Sequence, residues 1–159
     1  MRIAELEHKL VLFTVSGAGA GIGYIPWFSG TAGTLGAILL GLNLIAARTP
    51  SIALLALLAA TGIAIVLSNR RAAILRQKDP GIIVIDEIIG FLVANFLAPP
   101  GFAVLLSTFV LFRVFDIAKV FPIKSLERLP GGTGIVLDDV MAGVYALIIQ
   151  RLALAWGIL

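Results

Sequence analysis

The chain has 159 residues, of which 60% are hydrophobic and only 13% charged, with a mean hydropathy of +1.08. Soluble domains carry about 25% charged residues, so this chain cannot cover a water-facing surface; its length suits a single membrane-embedded domain spanning 1–159. The formal net charge of +3 comes from short basic groups between apolar stretches, not from a basic stripe interleaved with aromatics, which argues against nucleic acid and for anionic membrane lipids as partners.

Residues 1–10 read as a short N-terminal amphipathic helix. The charge, apolar run and small residues that open the chain look superficially like a signal peptide, but Glu5 and Glu7 sit in the charged part and the segment is expected to stay in the mature protein. Residues 11–34 are apolar yet broken by Gly17, Gly19, Gly21, Gly23, Pro26, Gly30 and Gly33. Such backbone survives at membrane depth only where protein or a wet cavity satisfies it, which predicts a re-entrant or interfacial loop. Residues 35–47 are short for a span, 51–68 are long enough to cross, 69–80 form a basic polar connection, and 81–98 cross again. Pro99, Pro100 and Gly101 make a turn, 102–121 form a further span, 122–134 a polar loop, and 135–159 the last span. The expected fold is all-α: a polytopic bundle of about four or five transmembrane or re-entrant helices. Arg2, Lys9, Arg70, Arg71, Arg76, Lys78, Lys119, Lys124 and Arg128 gather at one set of helix ends, which the positive-inside rule places in the cytoplasm. Arg151 fits that pattern poorly and is read as snorkelling to an interface.

Glu5, Glu7, Asp79 and Glu127 lie in polar segments and read as a solvated face. Asp86, Glu87, Asp116, Asp138 and Asp139 lie inside apolar sequence, each near the cytoplasmic end of its helix. A carboxylate in mid-membrane costs roughly 2.5–3.5 kcal/mol even on permissive scales. Arg113 and Lys119 supply two positive charges against these five negative ones. Three readings meet the deficit: buried salt bridges, protonation as in a proton relay, or a hard divalent cation such as Mg²⁺, which takes oxygen ligands and keeps several waters. The charge arithmetic favours the cation. At about 100° per residue, Asp86 and Glu87 occupy adjacent edges of one helix, as do Asp138 and Asp139. Arg113, Asp116 and Lys119 share a face at i, i+3, i+6. Ala142 and Gly143, one turn past Asp138 and Asp139, allow a second helix to come close. SGTAGT, residues 29–34, offers clustered backbone N–H groups and hydroxyls that suit a phosphate, although it lacks the order of a P-loop.

Taken in order, GYIPWFSGTAGTLGA, DPGIIVIDEIIGFLVA, FRVFDIAKVFPI and GGTGIVLDDVMAGVYA resemble the phosphatidylglycerophosphatase A family over residues 17–150. Ser29, Thr34, Val120 and Val136 depart from its usual pattern without removing a charge or hydroxyl from the site. The resemblance implies a Mg²⁺-dependent enzyme of the bacterial inner membrane, multi-pass, with its site on the cytoplasmic side. Its phospholipid substrate would be phosphatidylglycerophosphate, hydrolysed to phosphatidylglycerol and phosphate. Carried over by motif, Asp86, Glu87, Asp116, Lys119, Asp138 and Asp139 form the expected site, with Gly30, Thr31, Gly33 and Thr34 as a phosphate-binding loop.

The absence of cysteine removes thiol chemistry, and His8 alone cannot support a histidine-phosphate route. Metal-assisted transfer to water remains. In that scheme Asp86, Asp116, Asp138 and Asp139 hold Mg²⁺, Glu87 is the general base, Asp86, Glu87, Asp139 and Lys119 carry the chemistry, and Arg113 and Lys119 steady the phosphate. Direct attack by an aspartate, through an aspartyl-phosphate, is the alternative within this class. A small proton- or ion-coupled transporter is the alternative outside it, although transport sites tend towards the midplane rather than one end. Oligomeric state is not legible from these residues.

Overall fold

The computed structural model describes residues 49–75 and 84–159. The expected N-terminal helix, the glycine-rich segment 11–34, with Gly30, Thr31, Gly33 and Thr34, and the segment 35–47 lie outside those residues. Among the described residues there are five helices and no strand.

The first helix, α1 (Pro50–Leu75), starts at a proline, whose fixed φ and missing N–H suit the first helical position. It does not stop near residue 68, as the polar composition beyond suggested. Ala and Arg are good helix formers and no glycine or proline intervenes, so Asn69, Arg70 and Arg71 continue the same helix. The second, α2 (Ile85–Ala94), has 10 residues. At 1.5 Å per residue it rises only about 15 Å, half of a bilayer core of about 30 Å, so helix does not cross through 81–98 as expected. It ends at Asn95 and a turn containing Leu97 at φ 55°. The third, α3 (Phe102–Ala118), has 17 residues and stops at Lys119 in the left-handed conformation, short of the expected 102–121. A four-residue helix, α4 (Ile123–Leu126), precedes α5 (Gly132–Ala155). By length and apolar composition, Pro50–Ala73 and Gly132–Ala155 can cross a membrane.

Helix α5 is the hub, against which α1, α2, α3 and α4 all pack. Phe91, Phe112, Ile123, Ala142 and Ala146 form the main buried cluster. The Phe91 and Phe112 rings meet edge to face with centroids 6.3 Å apart, a contact worth about 0.5–1.5 kcal/mol beyond burial. Ala64, Ile89 and Val136 tie α1 and α2 to α5. Large apolar side chains such as Leu55, Leu58, Phe102 and Ile117 face outward, as suits surrounding lipid.

Two glycines set the α2–α5 crossing. A Cβ on Gly143 would lie 2.3 Å from the Gly90 carbonyl oxygen, and one on Gly90 would lie 2.7 Å from the Asp139 carbonyl oxygen and 2.6 Å from the Phe112 ring. The two backbones therefore touch, as small residues permit between membrane helices. At the far end of α2 the chain leaves the helix, and Arg151 donates from Nη2 to the Phe96 carbonyl at 2.5 Å.

The LPGGTG segment docks α5 onto α1. Gly131 has φ +63°, and a Cβ on Gly132 would strike the Ile65 carbonyl and the Asn69 nitrogen. The Gly132 N–H, an orphan donor of the α5 start, donates to Asn69 Oδ1 at 2.6 Å. Asn69→Ala leaves that donor without its partner. It is expected to cost about 1–2 kcal/mol, measured as a lower midpoint in thermal unfolding of the detergent-solubilised protein.

Candidate metal centre

The glycine crossing also brings the acids together. Asp86 lies one turn before Gly90, and Asp139 one turn before Gly143, so backbone contact at the glycines draws these two side chains to one side of the crossing. Glu87 follows Asp86 in the first turn of α2, where the helix dipole favours negative charge. One carboxylate oxygen each from Asp86, Glu87 and Asp139 lies within 4.8 Å of the other two. Asp86 and Asp139 are buried, 8% and 4% exposed. Asp86 Oδ1 and Glu87 Oε2 are buried with no hydrogen-bond partner.

Buried carboxylate oxygens without donors are costly, and the charges of Asp86, Glu87 and Asp139 act on one another at close range. A hard dication relieves both problems at once, because it ligates the orphaned oxygens and offsets their charge. Hard, all-oxygen donors suit Mg²⁺, Mn²⁺ or Ca²⁺ rather than a thiophilic metal.

Around this group stand two ion pairs. Arg113 donates from Nη1 to Asp116 Oδ2 at 2.7 Å within α3, and the Asp116 side chain lies close enough to that of Asp139 for direct interaction. Lys119 donates from Nζ to Asp138 Oδ2 at 2.9 Å and pairs with Glu127 at 3.1 Å. Asp138 Oδ1 accepts the Asp139 N–H at 3.1 Å. Lys119 sits in the turn after α3, outside both candidate spans. Partial burial pulls its ammonium down, but the hydrogen bonds and charges of Asp138 and Glu127 outweigh that and hold its pKa above the ordinary lysine value.

The expected site residues thus fall into two groups. Asp86, Glu87 and Asp139 converge, with Asp116 and Arg113 alongside, while Asp138 and Lys119 form a neighbouring pair. Glu87, read from sequence as a base rather than a ligand, is in the convergent set; Asp116 and Asp138, read as ligands, each hold a cationic side chain. Two residues escaped the sequence reading. Glu127, which the sequence places on a solvated face, keeps a side chain 39% exposed and also pairs with Lys119. Arg71 was grouped with a polar connection, yet it is helical and only 4% exposed. The signal for Arg71 was its helical register with Ala64, Ser68 and Ala72, all buried.

The family model of phosphatidylglycerophosphatase A matches residues 15–154. A Bacteroides thetaiotaomicron protein provisionally named phosphatidylinositol-3-phosphatase is 33% identical over 155 residues, covering 93% of this chain and 97% of its own. The phosphatidylglycerophosphatase A of Haemophilus influenzae is 36% identical over 133 residues, 82% of each chain. That of Escherichia coli is 33% identical over 128 residues, 79% of this chain and 74% of its own. No solved structure matches significantly.

Proposed function

The chain belongs to the phosphatidylglycerophosphatase A family and is a phosphatase, and from that premise we propose that it hydrolyses phosphatidylglycerophosphate to phosphatidylglycerol and phosphate with Mg²⁺ held by Asp86, Glu87 and Asp139. The observation that carries the reading is the convergence of three carboxylates, two of them with orphaned buried oxygens, where the short helix α2 touches α5. The relatives' names favour a lipid phosphatase over the ion-coupled transporter.

The substrate carries a terminal phosphate monoester and, one glycerol away, a phosphodiester to the lipid. A dication at the three carboxylates would acidify a bound water and offset phosphoryl charge. Glu87, the least buried of the three, takes the proton as water attacks phosphorus. The bond from phosphorus to the glycerol oxygen breaks, and that oxygen takes from Glu87 the proton removed from water as phosphate departs. Arg113 keeps guanidinium N–H groups beyond its bond to Asp116 and presents them to the phosphoryl oxygens. Lys119 acts as a positioning residue: it fixes Asp138, whose other oxygen holds the Asp139 backbone N–H. The whole chain, 1–159, forms one multi-pass domain of the bacterial inner membrane, with the site at the cytoplasmic ends, near Lys119, Lys124 and Arg128.

The test is phosphate release from phosphatidylglycerophosphate by the purified full-length protein. Release is expected with Mg²⁺ and is expected to vanish in excess chelator, returning when the metal is restored. Undiminished release in chelator would overturn the metal assignment.

A further inference from the structure

Arg71 is a buried guanidinium to which the proposed chemistry gives no task. It is 4% exposed, its Nε is buried without a hydrogen-bond partner, and no acid forms an ion pair with it among the described residues. One turn earlier on the same helix, Ser68 is fully buried and its Oγ is also unpartnered. Buried helical hydroxyls usually return to a carbonyl of the preceding turn, as those of Thr61, Ser107 and Thr108 do here. Ser68 does not.

A buried cation without a counter-charge is among the most costly groups a protein can hold. Ala72, next to Arg71, packs with Ile135 of α5, and Ile85, which precedes Asp86, packs against that pair. Gly132 rests on the Ser68 and Asn69 backbone. The turn of α1 that carries Ser68 and Arg71 therefore borders the starts of α2 and α5, the ends that bear Asp86, Glu87, Asp138 and Asp139.

We propose that Arg71 and Ser68 form a second anion subsite, which takes the phosphodiester of the lipid substrate while its monoester meets the carboxylate centre. The assignment rests on the phosphatase reading for the identity of the lipid, and on the two unpartnered buried groups for the site. A guanidinium and a hydroxyl match the non-bridging oxygens of a phosphodiester, one as a charged fork and the other as a single donor. Together with the carboxylate centre, the subsite favours headgroups that carry both kinds of phosphate ester.

Phosphatidylglycerol, the expected product, has the diester without the monoester and is the probe. Binding of short-chain phosphatidylglycerol to the purified full-length protein in detergent is measured for the wild type, Arg71→Met, Arg71→Lys and Ser68→Ala, with short-chain phosphatidylcholine as the second lipid. The expected result is a dissociation constant for phosphatidylglycerol raised about 10–100-fold in Arg71→Met, less in Arg71→Lys and Ser68→Ala, as for loss of a charge-assisted hydrogen bond. In lipid-depleted detergent, Arg71→Met is expected to melt no lower than the wild type, because it removes an uncompensated charge. A lower melting point there would mean that the guanidinium serves the fold, and would overturn the proposal. So would unchanged phosphatidylglycerol binding in Arg71→Met. Phosphatidylcholine binding that is equally tight and equally dependent on Arg71 would assign the subsite to bulk lipid and overturn the substrate assignment. Phosphate release from phosphatidylglycerophosphate is followed in the same preparations. Loss of the Arg71 effect with release intact sinks this inference alone, whereas absence of release with the Arg71 effect intact sinks the substrate reading and leaves an anion site.

Discussion

Asp139→Asn is expected to lower phosphate release at least roughly 100-fold, since loss of an outer-shell partner alone costs 10–100-fold at a metal site, and to make the metal-free protein more stable. The two effects have one cause. Asp139 shares a space of 4.8 Å with Asp86 and Glu87, is 4% exposed, and lies beside Asp116 as well. Without a cation, each carboxylate there repels its neighbours in a medium that screens poorly. Asparagine keeps the shape and removes the charge, so the unfolding temperature measured in chelator should rise. Added Mg²⁺ reverses the ranking: the wild type gains about 2.7 kcal/mol at a hundredfold excess over its dissociation constant, and the variant gains little. Thermal melts of both proteins with and without metal check this. A variant that melts lower in chelator would show Asp139 to be a structural partner, and the cation reading would lose its basis.

Gly143→Ala is expected to impair folding and activity together. Its Cβ would lie 2.3 Å from the Gly90 carbonyl oxygen, 3.0 Å from Val93 Cβ and 3.2 Å from the Ala94 nitrogen. Two of the three neighbours are backbone atoms, so no rotamer change relieves the clash and the helices must separate. Overpacking of this kind costs about 1–3 kcal/mol, and more where the backbone must move. Separation at Gly143 also moves Asp139, one turn away, relative to Asp86. Misplacement by about 1 Å can cost roughly 100-fold in rate, so activity should fall even in the fraction that folds. Gly62→Ala is the control. Nothing lies within 4 Å of a Cβ there, and alanine in a helix interior is favoured over glycine by about 0.5–1 kcal/mol. Denaturation should move the two alanine variants in opposite directions from the wild type, while phosphate release should fall in Gly143→Ala and stay unchanged in Gly62→Ala.

Much of the site was legible because its chemistry is written in charge. Carboxylates in apolar sequence are conspicuous, and the reasoning that singled out Asp86, Glu87, Asp116, Asp138 and Asp139 required all five to share a neutralising partner, whereas only Asp86, Glu87 and Asp139 converge and Asp116 and Asp138 each hold a cationic side chain. The small residues Ala142 and Gly143 announced a close helix approach, and Gly143 makes one with α2. What hydropathy could not resolve was where helices end. It measures how well residues tolerate lipid, while termination depends on turn chemistry, so 81–98 reads as one crossing although, among the described residues of that stretch, helix covers Ile85–Ala94. The same limit hid Arg71: a pair of arginines reads as a polar connection until the helix is seen to continue and its register turns one of them inward. Which carboxylates meet each other and which meet a lysine was also beyond the sequence. It depends on Lys119 adopting φ 43° at the end of α3 and on α4 carrying the chain round to Glu127, and neither is a matter of composition.

The shortness of α2 bears on how the chain's orientation is inferred. Where α2 stops partway the chain runs on in a turn, and Arg151 supplies a donor to a carbonyl of that turn, on Phe96. That arginine is therefore a cap for interrupted backbone, not a flag for one compartment.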